Sequence, residues 1–180
     1  SKEFIYGNSI DDPIALITPS PLMGEGGGEG VYYYHTDGLG STVSLTDKDG
    51  QIAETYKYGA YGEVEIHDAS GALLEDSAAG NPFLYTGQMY DPETGFYYYK
   101  ARYYSPTLGR FLQRDPLGYI DGYNLYSYVN NNPLNWVDPL GLEKKPFPHI
   151  YEGNYNEETG RYEPYENAVQ RLEFFGAMEE

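Results

Sequence analysis

The chain contains no cysteine, so neither a disulfide framework nor a thiolate metal site can form, and the redox compartment is left open. Positive charge is scarce: 11 Lys and Arg stand among 28 Asp and Glu, for a formal net charge of −17 at pH 7. That balance disfavours nucleic-acid phosphates and anionic membrane surfaces as partners. No apolar run approaches the roughly 18–20 residues of a membrane span, and the start carries no signal-peptide pattern. The three histidines, His35, His67 and His149, have no zinc-ligand spacing. A P-loop, a dinucleotide fingerprint and a G-x-S-x-G turn are likewise missing, so no cofactor and no metal are expected. Ser1 stands where a start methionine would, as in a piece of a longer polypeptide.

What the chain has instead is tyrosine, 22 of them, punctuated by 22 Gly and 12 Pro. Tyrosine suits pleated, half-wet surfaces, and frequent turn residues break long helices, so the expected class is mostly β and hairpin-rich. Phe4–Gly7 and Pro13–Ile17 read as a first hairpin, and the glycine-rich residues 24–30 as a flexible insertion. Alternating segments on either side of Asp47-Lys48-Asp49-Gly50 read as a second hairpin. A calcium loop does not fit there, because Ile52 and Tyr58 stand where Gly and a bidentate Glu are required. Residues 63–82 read as a looser acidic region, and the β pattern restarts at Phe83 and runs through Phe96–Tyr104. A short helix is expected near 123–129, capped by Asn124 and ended by Asn132-Pro133. Past Leu142 the composition shifts; Val169, Leu172, Phe175 and Met178 fall on one face of an amphipathic helix. The expected division is 1–30 as an upstream hairpin with its insertion, 31–142 as a core domain, and 143–180 as a tail.

Chemistry is concentrated in the stretch Gly95–Pro116 and in Asp138-Pro139-Leu140-Gly141-Leu142. Two carboxylates that share a proton can split a peptide, one activating water and the other protonating the carbonyl oxygen. By residue type alone an Asp-Pro pair is a turn device, and Arg102 is a structural arginine stacked among Tyr98, Tyr103 and Tyr104. Arg110 is a second basic residue suited to orienting a carboxylate.

Tyr34-His35-Thr36-Asp37-Gly38-Leu39-Gly40-Ser41, Tyr58-Gly59-Ala60-Tyr61-Gly62, Tyr85-Thr86-Gly87-Gln88 and the stretch through Asp115-Pro116 together resemble the Rhs/YD-repeat family, in its repeat-associated core domain. The resemblance covers about residues 31–142. It implies a β-shell that encloses a C-terminal segment, commonly a toxin, with the core domain plugging one end. It further implies an intramolecular aspartic protease that cuts after the Asp-Pro-x-Gly-Leu motif, here between Leu142 and Glu143. Carried over residue by residue, Asp115 and Asp138 are the carboxylate pair and Arg102 the associated basic residue. The implied partners are the rest of the shell or neighbouring subunits and an enclosed payload, in a secreted or cell-surface bacterial protein. The alternative is a non-cleaving structural or assembly module whose strands are completed by neighbouring subunits.

Overall fold

A computed structural model of the chain describes residues 2–7, 12–19, 29–146, 153–156 and 161–164. The chain divides into two compact units, Ser1–Pro146 and Phe147–Glu180. The first is almost wholly β.

Seven antiparallel strands follow one another in chain order: β1 (Glu3–Tyr6), β2 (Pro13–Pro19), β3 (Glu29–Thr36), β4 (Thr42–Asp47), β5 (Ile52–Tyr58), β6 (Val64–Asp68) and β7 (Leu73–Leu74). Alternation sets their register, since side chains two apart share a face. Leu16 opposes Tyr32, Tyr34 opposes Leu45, and Tyr56 opposes Ile66, so apolar side chains run across one face of the sheet. The Asp47–Gly50 connection is the expected hairpin turn: Asp47 Oδ1 accepts the N–H groups of Asp49 and Gln51, and Gly50 takes φ +76°. The acidic region 63–82 is more ordered than its composition suggests. Val64–Asp68 and Leu73–Leu74 close the sheet, and Glu54, 2% exposed, anchors the loop that follows by accepting from Ser77 Oγ (2.7 Å), the Ala79 N–H (2.7 Å) and the Tyr56 hydroxyl.

A second sheet has the order β11-β10-β9-β8, from β8 (Met89–Asp91), β9 (Phe96–Tyr99), β10 (Arg102–Ser105) and β11 (Arg110–Phe111). The tyrosines here are core rather than half-wet wall. Tyr97, Tyr99 and Tyr104 are fully buried, while Tyr98 and Tyr103 alternate outward. Burial of a phenol requires a partner for its hydroxyl. The Gly59–Gly62 step supplies three in succession: the carbonyls of Ala60, Tyr61 and Gly62 accept from Tyr85, Tyr104 and Tyr97. That motif therefore ties the two sheets together.

Among the described residues the helical segments are 3-10 turns, at Tyr85–Gly87, Gly118–Asp121 and Val129–Asn131. No helix forms over 123–129; the chain there turns and bridges Arg110 to Ser127. The strands β12 (Trp136–Val137) and β13 (Lys145–Pro146) make a small hairpin around the Asp-Pro-x-Gly-Leu segment. In the second unit β14 (Gly153–Asn156) pairs with β15 (Arg161–Pro164). The amphipathic helix expected over 165–178 lies outside the described residues, as does most of the glycine-rich stretch; Glu29 and Gly30 begin β3.

Candidate functional site

Period-two alternation explains how an arginine comes to be inside. Tyr104 of β10 opposes Tyr97, Tyr103 opposes Tyr98, and Arg102 opposes Tyr99, so Arg102 enters on the buried face with Tyr104. Its side chain is 2% exposed, and the guanidinium is spent in four directions. Nη1 lies 3.0 Å from Asp115 Oδ2 and 3.4 Å from the Leu125 carbonyl, Nη2 lies 3.2 Å from Asp138 Oδ2, and Nε donates to the Gly141 carbonyl at 2.7 Å. One planar cation therefore joins three chain segments.

The two aspartates differ in what they hold besides Arg102. Asp115 Oδ1 accepts the Leu117 N–H (2.8 Å), while its own N–H donates to the Leu125 carbonyl (2.8 Å). Asp138 is 2% exposed, and its Oδ1 accepts from the N–H groups of Leu142 (2.9 Å) and Glu143 (3.1 Å). Burial pushes the Asp138 carboxyl above its usual range; Asp115 adds to the rise, and the Leu142 N–H, Arg102 and the Glu143 N–H oppose it. The segment carrying these amides is held close. Gly141 takes φ +65°, and a Cβ there would stand 2.6 Å from the Tyr99 carbonyl. Gly141→Ala is expected to lower stability by at least about 2 kcal/mol in thermal or denaturant unfolding, from a strained left-handed backbone plus a clash with main chain.

Arg102, Asp115 and Asp138 are thus brought together, beside the Leu142–Glu143 peptide, although 36 residues separate Arg102 from Asp138. Arg110 is not part of the cluster; it is exposed over the Tyr126 ring, 4.7 Å from its centroid. The cation–π contact of Arg102 is with Phe111 rather than with Tyr98, Tyr103 or Tyr104. The sequence did not point to Phe111, Gly141 or the Leu125 carbonyl as participants. Only Gly141 carried a signal, as the glycine of its motif. No cluster of His, Asp and Glu among the described residues is arranged to hold a metal ion, and none of the helices among them is long and apolar enough to cross a membrane.

Residues 25–134 match the Teneurin YD-shell family. The chain belongs to that family. Its resemblance to Rhs and YD-repeat proteins, first carried by the tyrosine and glycine motifs, extends through relatives named as toxins and nucleases. Double-stranded DNA deaminase toxin A of Burkholderia cenocepacia is 38% identical over 112 residues, which is 62% of this chain and 8% of that protein. The tRNA nuclease WapA of Bacillus subtilis is 40% identical over 114 residues, 61% of this chain and 5% of the relative. Toxin protein Tse5 of Pseudomonas aeruginosa is 34% identical over 122 residues, 68% of this chain and 8% of Tse5. Among solved structures, the TcdB2–TccC3 crystal structure matches with a TM-score of 0.64 at 32% identity, covering 78% of this chain and 7% of that one. A Photorhabdus luminescens Tc holotoxin pore matches with a TM-score of 0.62 at 27% identity, covering 92% of this chain and 7% of that one. The YD-shell segment described here thus spans less than a tenth of each of these relatives.

Proposed function

We propose that this YD-shell segment is a core domain that closes a β-shell and cuts its own chain once, between Leu142 and Glu143, to free the downstream segment. The observation that carries the proposal is the placement of Asp138 Oδ1, 3.1 Å from the Glu143 nitrogen, which must gain a proton before the peptide bond can break. In the proposed reaction a water gives a proton to Asp115 as its oxygen bonds to the Leu142 carbonyl carbon, and Asp138 protonates the carbonyl oxygen. A hydroxyl of the intermediate then returns a proton to Asp138, which passes it to the Glu143 nitrogen as the C–N bond breaks, so that Glu143 leaves as an amine and Leu142 as a carboxylic acid that ionises to water. Holding the peptide against the acid within one chain supplies a high effective molarity, which suits a single turnover. Leu117, Tyr119, Ile120 and Tyr123 are all exposed on the loop after Asp115, an apolar patch suited to contact with the rest of the shell. The shell's place is outside the producing cell, secreted or on its surface, with the downstream segment as payload.

Trp136 reports the event, because it is the only tryptophan and lies in β12 opposite Pro146 of β13. Cutting opens the loop that joins these strands. Two residue pairs, at about 1 kcal/mol per hydrogen bond, fall short of the cost of holding a separate chain. Cleaved protein is therefore expected to show red-shifted Trp136 emission relative to Asp115→Asn, which stays whole on a denaturing gel. Equal cutting in Asp115→Asn contradicts the assignment of the base, and an unchanged emission after verified cutting contradicts release of β13.

A second reading, a non-cleaving assembly module, has its own support: β1 is the outer strand of its sheet, with Ile5 and Tyr6 exposed, open to a strand from a neighbour. An uncut chain that self-associates through this edge favours it.

A further inference from the structure

The N–H groups of a guanidinium lie in one plane, so they reach their acceptors together only if that plane is fixed. In-plane contacts alone leave it free to tilt, the more so as Nη1 is shared between Asp115 and the Leu125 carbonyl. The restraint from outside the plane comes from Phe111, whose ring centroid is 3.7 Å from the Arg102 guanidinium carbon. Phe111 is fully buried. Its ring stands near-perpendicular to those of Tyr99, Tyr104 and Tyr128, at 84°, 70° and 79°, with centroids 5.6, 5.8 and 5.6 Å away. Its backbone N–H donates to the Tyr126 carbonyl at 2.9 Å, and β11 pairs it with Tyr104. The chemistry of the contact gives the reason for an aromatic here rather than an aliphatic of similar size. A ring face attracts a desolvated cation without competing for its N–H groups.

We propose that Phe111 is the positioning residue of the site: its ring face sets the plane of the Arg102 guanidinium, and through it the placement of Asp115, Asp138 and the Gly141 carbonyl. The consequence for cleavage rests on the proposed function; the consequence for the carboxylates does not. The charged and titratable groups facing Asp138 are Arg102, Asp115 and Tyr128, so a tilt of the guanidinium weakens the one positive charge that opposes burial.

The test is a fluorination series at Phe111 in the full chain, from one fluorine to five, which keeps the ring's shape while draining the negative potential of its face. Phe111→Leu serves as the volume control. Cleavage at Leu142–Glu143 is expected to slow stepwise with each fluorine, reaching about tenfold in the pentafluoro variant, the factor for loss of about 1.4 kcal/mol of desolvated cation–π attraction. The Asp138 carboxyl, titrated by carbon NMR, is expected to move further upward in the same steps. A packing role alone gives a flat response across the series and a change only in Phe111→Leu, and that result overturns the proposal. If no variant and no parent chain is cut, the proposed function fails, while the Asp138 titration still decides: stepwise movement supports positioning by Phe111, and a flat titration refutes it.

Discussion

Arg102→Met is expected to lower the free energy of unfolding by about 3–5 kcal/mol, read as a shift in the midpoint of denaturant unfolding. The size follows from what the substitution leaves behind rather than from what it removes. Asp115 and Asp138 have side chains only 7% and 3% exposed, and both lose their cation at once. The carbonyls of Leu125 and Gly141 lose a donor in the same step. Arg102→Lys restores the charge but not the fork, since one ammonium on a flexible stem cannot meet acceptors in four directions, and it is expected to recover less than half of the loss. The partners act as a unit, so Arg102→Met made in an Asp138→Asn background is expected to cost less than in the parent, with a coupling of about 0.5–3 kcal/mol. A loss below about 1 kcal/mol, or strict additivity in the cycle, refutes the clamp as a source of stability.

Asp138→Asn is expected to slow cleavage at Leu142–Glu143 by a factor of about 10² to 10⁴, the range for loss of a positioned acid. It also has a signature in stability that does not depend on cleavage. The folded state raises the Asp138 carboxyl above its ordinary 3.8, chiefly through burial. A carboxyl raised in the folded state binds its proton more tightly there than in the unfolded chain. Its contribution is therefore fully present below about pH 3.8 and is lost as pH climbs through the raised folded value. Subtracting the pH–stability curve of Asp138→Asn from that of the parent should leave a term that falls with rising pH across this window. A difference that rises with pH would mean that the Arg102 pair outweighs burial.

Which parts of the molecule were legible in the sequence follows from how local their causes are. Hairpins built on alternation and a turn, such as β4–β5 around Asp47–Gly50, are fixed within about 15 residues, and they form as read. Residues 63–82 are only partly legible: β6 and β7 pair locally around a turn at Asp68, hidden by the acidic composition, whereas the loop after them is ordered by a distant partner, Glu54 in β5, which accepts from Ser77 and Ala79. The tyrosines show the same limit. Period two predicts that Tyr97, Tyr99 and Tyr104 share a face, but the partners their buried hydroxyls need are distant: the Gly62 and Tyr61 carbonyls, 35 and 43 residues away, for Tyr97 and Tyr104, and the Thr86 and Tyr128 hydroxyls for Tyr99. At the site, the motifs named Asp115, Asp138 and Arg102 through family resemblance, and spacing alone left Arg110 an equal candidate. What separates the two arginines is strand parity: Arg102 falls on the inward face of β10, whereas Arg110 at the start of β11 faces outward. Phe111 is the residue whose role was least visible, because a ring beneath a guanidinium is a tertiary contact with no local sequence pattern.

The most direct test of the central claim is denaturing mass spectrometry of the full chain folded in water enriched in oxygen-18. Self-cleavage by hydrolysis predicts two species, one ending at Leu142 with a single heavy oxygen in its new carboxylate and one beginning at Glu143. A single species with the mass of all 180 residues contradicts the account.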